Sequence, residues 1–215
     1  MFLAIHAQQT KTALFNNVSF SREQRKTLKK EGGHMATIKQ KKVPAFVLPV
    51  FKQSGIKITR FRSAAAFEKV LMDFLKRNNV LHLSTVKNNV PRTTPLEYRL
   101  DGFTFYILSE GGGKFNNLKV NSTVSFSIAE PYYPKKDFWG GKGLQVWGKA
   151  KVYSEKSDPR RFKNALKKMK VYASLKEMGQ KELPPQINFR VIEITPAKMI
   201  YGNVREGVFK VTWEK

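Results

Sequence analysis

The chain has 215 residues, a hydrophobic fraction of 41% and 16 phenylalanines, so it can build a core and is not a disordered basic tail. It has no cysteine, which excludes disulfides, thiolate metal sites and cysteine nucleophiles, and three histidines argue against a histidine-rich metal centre. No apolar run approaches the roughly 18 residues of a membrane span, and we expect a cytoplasmic protein without membrane contact. The net charge of +24 predicts an anionic partner, an anionic cofactor or a solvated basic surface.

The first 34 residues differ from the rest and admit two interpretations. Met1 begins an apolar stretch that resembles the core of a signal peptide but lacks its basic flank, so we expect no export. Lys30-Glu31-Gly32 can be encoded by codons that contain a bacterial ribosome-binding sequence shortly before Met35. We therefore predict that residues 1–34 are either translated leader or a flexible basic arm. An extended segment over 35–62 and one domain over 63–215 follow.

Hydrophobic spacing predicts two amphipathic helices among a series of short strands. Ser63 is a candidate N-cap for a helix that ends near Asn78, with an inward face of Phe67, Val70, Leu71, Phe74 and Leu75. A second helix is predicted over 159–173, with Phe162, Ala165, Leu166, Met169 and Ala173 inward. A short helix is predicted over 114–120. Strands are predicted over 80–86, 92–100, 103–109, 124–129, 144–152, 187–194, 198–201 and 208–213.

Asp101-Gly102 predicts a hairpin between strands 92–100 and 103–109, because a type I′ turn needs positive φ at both central positions. Such pairing places the start of the first strand beside the end of the second. Short strands joined by hairpins, with few helices between them, favour an antiparallel barrel over a parallel sheet.

The predicted hairpin gathers cations and hydroxyl groups at one rim of the barrel. Two cations, several hydroxyls and the free N–H groups at a helix start are the donors that a phosphate monoester requires. The alternative is a solvated rim with an ordinary tight turn. The residues concerned are Arg92, Thr93, Thr94, Ser109, Gly113 and Lys114.

Six blocks of this sequence resemble the FMN-binding split barrel of the pyridoxamine 5′-phosphate oxidase type. The blocks are VLHLSTV at 80–86, VPRTTP at 90–95, FYILS at 105–109, KFNNLKVN at 114–121, VSF at 124–126 and LQVWGKA at 144–150. Their order and spacing match that family over about Phe67 to Tyr153. The resemblance implies a mainly β fold, an antiparallel split β-barrel with a few flanking helices. It also implies a homodimer that binds FMN and acts as an oxidoreductase on an unidentified small molecule.

The resemblance implies cofactor-binding roles for nine residues and leaves the catalytic residues unknown. Arg92, Thr93 and Thr94 would contact the ribityl phosphate and flavin edge, Leu108 and Ser109 would line flavin and phosphate, Gly113, Lys114 and Asn117 would hold the phosphate, and Gln145 would reach the flavin from a partner chain. The chain departs from the oxidase at Glu97, where the family has a basic residue, and no arginine follows Trp213. Oxidation of pyridoxamine phosphate itself is therefore not expected.

Other functions stay open beside this one. The same fold binds haem or a deazaflavin in related proteins, but His82, in an apolar strand, is more typical of a structural histidine than of an axial ligand. A basic nucleic-acid-binding module is the alternative from another class, supported by the net charge and the basic face of Arg160–Lys170. No RNA-recognition or helix-turn-helix pattern accompanies it, so nucleic acid is not the expected partner. The aromatic loop 130–143 either covers a flavin face or packs against helix 159–173.

Overall fold

A computed structural model describes residues 36–215, so the predictions for residues 1–34 lie outside the described residues. The described range contains five α-helices: α1 Leu48–Gln53, α2 Ala64–Arg77, α3 Lys114–Val120, α4 Pro159–Lys168 and α5 Val171–Glu177. Its nine strands are β1 Thr37–Gln40, β2 Val80–Lys87, β3 Val90–Glu97, β4 Arg99–Asp101, β5 Thr104–Ser109, β6 Thr123–Ala129, β7 Lys142–Ser154, β8 Arg190–Asn203 and β9 Val208–Glu214. None of these five helices is long and apolar enough to cross a membrane.

The nine strands form one antiparallel sheet that curls into a barrel. Its main order is β1-β9-β8-β7-β6-β2-β3, and β5 pairs with both β4 and the first half of β8. Phe105 of β5 and Phe126 of β6 have ring centroids 4.7 Å apart, although β8 and β7 separate their strands. Three strand spacings in a flat sheet would hold them about 14 Å apart. The predicted antiparallel β-barrel is therefore confirmed.

Helix α2 closes the main core as its sequence predicts. The Ser63 hydroxyl accepts a hydrogen bond from the Ala66 N–H at 3.2 Å, which caps the first turn. The ring of Phe74 lies 5.0 Å from that of Tyr201 on β8. This packing joins the helix to the middle of the sheet. The buried residues of α2 are Phe67, Leu71, Phe74 and Leu75.

The two hairpins have different turn types, and the type of the second differs from the prediction. Asn88 and Asn89 have φ of 51° and 60°, the type I′ pattern, and join β2 to β3. Between the paired residues Asp101 and Thr104, only Gly102 has a positive φ, at the first central position, which is the type II′ pattern. The type I′ turn predicted at Asp101-Gly102 is therefore wrong.

The predicted strand 92–100 is interrupted at Tyr98. The Tyr98 N–H donates to the Asn79 carbonyl at 2.9 Å, and its hydroxyl donates to the Leu75 carbonyl at 2.7 Å. These bonds tie Tyr98 to the end of α2, so β3 pairs with β2 and only the short β4 pairs with β5. The expected pairing of strand 92–100 with strand 103–109 is thus wrong over most of its length.

The predicted closing strands 187–194 and 198–201 are one continuous strand, β8. Pro196 is accommodated at a bulge, where the pairing with β7 shifts between Trp147 and Gly148. A Cβ on Gly148 would lie 2.4 Å from the Thr195 carbonyl oxygen, so only glycine permits this close approach.

The predicted helix 159–173 is two helices, because Lys170 has a left-handed φ of 57° between α4 and α5. The break redirects the chain so that Leu175 is buried and Ala173 is exposed. The other four predicted inward residues are buried: Phe162, Ala165, Leu166 and Met169.

Residues 36–62 contain more regular structure than the extended segment predicted. β1 pairs with β9, and α1 buries Phe51. Trp139 lies in the aromatic loop after β6; its ring is 5.1 Å from Phe51, and its Nε1 donates to the Ser54 hydroxyl at 3.1 Å. The aromatic loop therefore packs against α1 and not, as the second interpretation held, against helix 159–173. The proposed domain limits stay predictions.

Candidate functional site

Arg92 on β3 lies beside the loop that leads from β5 to α3, although β3 and β5 are not paired. Arg92 lies opposite Thr85 of β2, and α3 covers the same face, because the Asn117 amide donates to the Thr85 hydroxyl at 3.1 Å. A Cβ on Gly113 would lie 3.4 Å from Nη1 of Arg92. The missing side chain of Gly113 thus leaves room beside the guanidinium group. Asn117 holds the helix against the sheet.

Lys114 begins α3, and its side chain is buried, with 6% exposure. Its ammonium nitrogen lies 4.8 Å from the centroid of the Phe115 ring. Burial lowers the pKa of Lys114, and Glu110 opposes that shift. Arg92 and Arg190 lower the pKa further. These surroundings disfavour the ammonium charge, so an anion placed beside it would be strongly attracted.

Arg190 is a third cation at this place, which the sequence analysis missed. It opens β8 opposite Ser109 of β5, and its guanidinium carbon lies 4.7 Å from the centroid of Phe115. No local motif marks it, because its position depends on the pairing of β8 with β5. We call Arg92, Lys114 and Arg190 the cation cluster. Within residues 36–215, none of the three forms an ion pair.

The hydroxyl groups predicted for the site lie on different faces of their strands. The Thr94 hydroxyl oxygen is buried without a hydrogen-bond partner among the described residues, and Thr94 shares a face of β3 with Arg92. Thr93 faces the other way, with its hydroxyl 3.2 Å from that of Ser84. Ser109 is buried at the end of β5. The orphaned Thr94 hydroxyl carries a desolvation penalty that a ligand acceptor would relieve.

Two of the predicted site residues lie away from the cation cluster. Leu108 points to the opposite face of β5 from Ser109 and lines an apolar groove with Met169. Gln145 is exposed on β7, opposite Ser127, and β6 and β2 separate its strand from β3. Neither residue joins Arg92 and Lys114 within one chain.

The structure also places the residues on which the haem and nucleic-acid alternatives depend, His82 and the basic face of α4. His82 lies on the exposed outer face of β2, and its interpretation as a structural histidine stays a prediction. The basic face of α4 is partly neutralised. Its ion pairs are Arg161 with Glu193, Lys163 with Glu155 and Lys168 with Asp101.

The residues of this site fit a phosphate monoester. Arg92 and Lys114 supply positive charge, and charge-assisted hydrogen bonds to phosphate are among the strong ones. The free hydroxyl of Thr94 supplies a neutral donor, and Gly113 leaves room beside the guanidinium group. The two cations and the orphaned hydroxyl therefore agree on one kind of ligand group.

Comparison with known proteins identifies the family of most of the barrel. A family profile described as pyridoxamine 5′-phosphate oxidase matches residues 67–202, whereas a search of curated proteins finds no match. Among solved structures, a putative pyridoxamine 5′-phosphate oxidase from Listeria innocua is 23% identical, with a TM-score of 0.48, over 64% of this chain and 98% of its own. A haem storage protein from Vibrio cholerae is 20% identical, with a TM-score of 0.47, over 60% and 89%. A FAD-binding protein from Mesorhizobium loti is 16% identical, with a TM-score of 0.45, over 68% and 93%. The profile match takes in β2 to β7 and nearly all of β8, and on that ground the chain belongs to the pyridoxamine 5′-phosphate oxidase family, with its split β-barrel fold.

Proposed function

We propose that this protein binds FMN and is an FMN-dependent oxidoreductase that acts on a small molecule. The observation that carries the proposal is the buried ammonium of Lys114 beside Arg92, together with the orphaned hydroxyl of Thr94. This ammonium donates to the Gly111 carbonyl but has no carboxylate partner among residues 36–215. Buried charges in proteins are normally paired, so this arrangement calls for an anion from outside the chain. A phosphate monoester fits it, and family membership supports a flavin nucleotide as the cofactor that carries this group.

Each residue has a distinct task in the proposed complex. Arg92 and Lys114 bind the phosphate oxygens, and Thr94 donates a hydrogen bond to one of them. Gly113 keeps the backbone close without crowding the arginine. When bound, FMN supplies the capacity to accept or deliver a hydride or single electrons, and the protein supplies position and electrostatics.

A homodimer is part of the proposal, because Gln145 cannot join the cation cluster of its own chain. The outer face of the sheet offers a surface for a second copy. Trp147 is 38% exposed there, in register with Ser125 of β6, which is in turn in register with Ser84 of β2. Sedimentation analysis of the purified chain tests this element, and a monomer at all concentrations would contradict it.

Titration of the purified protein with FMN, riboflavin and haem tests the cofactor. We expect FMN to bind with quenched flavin fluorescence, and riboflavin to bind at least about tenfold more weakly because it lacks the phosphate. The variant Arg92→Gln should lose most of that preference, whereas Arg160→Gln, an exposed cation on α4, should keep it. Equal affinity for FMN and riboflavin, or a haem absorption band in place of a flavin band, would contradict the proposal.

A further inference from the structure

Two cations, one from α3 and one from β8, lie close to the ring of Phe115. Nζ of Lys114 is 4.8 Å from its centroid and the guanidinium carbon of Arg190 is 4.7 Å away. Aromatic rings attract such cations by about 0.5–1 kcal/mol at exposed sites and more when desolvated. The ring thus lies close to two positive charges that repel each other; burial chiefly lowers the pKa of Lys114, and Arg190 adds to that lowering.

From this arrangement we infer that Arg190 is a third phosphate-binding cation, which recognises the doubly charged monoester. The inference rests on the proposed function. Arg92 and Lys114 set against the nearby Glu110 leave an excess of one positive charge, too little for a phosphate that carries about two negative charges at neutral pH. With Arg190 the excess becomes two, and the charges of site and ligand balance.

The position of Arg190 allows it to take part. It is half-buried and in register with Ser109 at the end of β5. It also borders an open groove of about 380 Å³ whose lining includes Lys119 but not Arg92 or Lys114. It forms no ion pair within residues 36–215, so no carboxylate there competes for its guanidinium. A guanidinium group presents parallel N–H donors that match two phosphate oxygens at once.

A purely structural role makes a different prediction for the same residue. An arginine that only covers the Phe115 ring contributes packing, and its loss would disturb binding of any flavin equally. An arginine that binds phosphate discriminates between FMN and riboflavin. The ratio of these two affinities therefore separates the two roles, whatever the effect of the substitution on stability.

The test compares Arg190→Gln and Arg190→Lys with Lys119→Gln, which removes the same charge from an exposed position on the same groove. We expect Arg190→Gln to weaken FMN binding at least about tenfold while riboflavin affinity stays within about twofold. Arg190→Lys should lie between, because the charge stays but the fork of donors is lost. Unchanged FMN affinity, an equal loss for both flavins, or an equal effect of Lys119→Gln would overturn the inference.

Inorganic phosphate, followed by phosphorus NMR, separates this inference from the proposed function. If the unaltered protein binds no flavin, the proposed function fails. Phosphate that broadens or shifts with the unaltered protein but not with Arg190→Gln still supports the role of Arg190 toward a phosphate group. Phosphate that interacts equally with both, or with neither, overturns that role.

Discussion

Two groups of cations lie near the first residues of β8 and have opposite surroundings. On the α4 side, Nη2 of Arg161 is 2.8 Å from Oε1 of Glu193, and its Nε donates to Oε2 at 3.2 Å. Nearby, Lys168 is 2.7 Å from Asp101. In the cation cluster, by contrast, none of the cations has a carboxylate partner among residues 36–215. The same residue types therefore stabilise the fold in one place and stay available for a ligand in the other.

This difference predicts opposite effects when a charge is removed. Where a cation is paired and partly buried, removal of its partner leaves an uncompensated charge and lowers the free energy of unfolding. Where a cation is buried without a partner, its removal relieves a desolvation penalty.

The largest effect is expected for Lys114→Gln. FMN affinity should fall on the order of a hundredfold, because a buried charge-assisted contact with phosphate is lost. The free energy of unfolding of the ligand-free protein should not fall, because a desolvated charge is removed and glutamine can still donate to the Gly111 carbonyl that Lys114 contacts. Titration calorimetry and urea unfolding measure the two quantities. A Lys114→Gln variant that is clearly less stable and still binds FMN would mean that Lys114 serves the stability of the fold and not the binding of a ligand.

The pH dependence of the unaltered protein follows from the same lowered pKa. Because Lys114 binds its proton less tightly in the folded chain, ligand-free stability carries a penalty below its folded pKa. The penalty disappears as pH rises from that lowered value toward 10.5, while FMN affinity falls over the same interval because the ammonium charge is lost. FMN affinity that rises with pH over this interval would contradict the role of Lys114.

A smaller effect, on stability alone, is expected for Glu193→Ala. Burial raises the pKa of Glu193, but hydrogen bonds from Arg161 and Tyr153 outweigh burial and lower it overall. Its stabilising contribution is therefore present above the unfolded value of 4.5 and is lost as pH falls through the lower folded pKa. We expect a loss of about 2 kcal/mol at neutral pH, discounted for partial exposure, and FMN affinity within about twofold.

Glu155→Ala is the matched control, because its partner Lys163 lies on α4, as does Arg161, the partner of Glu193. Its carboxylate lies 4.0 Å from Lys163, and both side chains are more than half exposed. Urea unfolding should show a change below about 0.5 kcal/mol. A similar loss of unfolding free energy for both glutamates would mean that the ion pair of Arg161 with Glu193 stabilises the fold no more than an exposed ion pair does.

How much of this fold the sequence predicts depends on the range of the interactions involved. Helix α2 is predicted well because its cap at Ser63 and its apolar spacing are local. The interruption at Tyr98 and the continuity of β8 through Pro196 depend on distant partners, the end of α2 and the bulge beside Gly148. A pattern read along one strand does not contain them.

The candidate site follows the same rule. Arg92, Gly113 and Lys114 were expected together, and they do meet, but through the packing of α3 on β2 and not through the hairpin that predicted it. Arg190 was missed because only the register of β8 with β5 places it opposite Ser109. Leu108 was expected beside Ser109, yet alternation along the strand sends it to the other face.

The finest comparison concerns two threonines on one face of neighbouring strands. Thr85 accepts a hydrogen bond from Asn117, whereas the Thr94 hydroxyl is buried without a partner among residues 36–215. Valine keeps the shape of threonine and removes its hydroxyl. Thr85→Val should therefore lower the free energy of unfolding by about 1 kcal/mol, because the Asn117 amide loses its acceptor, and Thr94→Val should raise it by a similar amount.

The two variants should rank the other way round in FMN affinity. We expect the affinity to fall several-fold in Thr94→Val and to change little in Thr85→Val. Urea unfolding with and without FMN measures both effects on the same samples. A Thr94→Val variant that is less stable than the unaltered protein without ligand would mean that its hydroxyl is satisfied in the free chain. The predicted pair of results would show that the Thr94 hydroxyl serves the bound state and not the stability of the free chain.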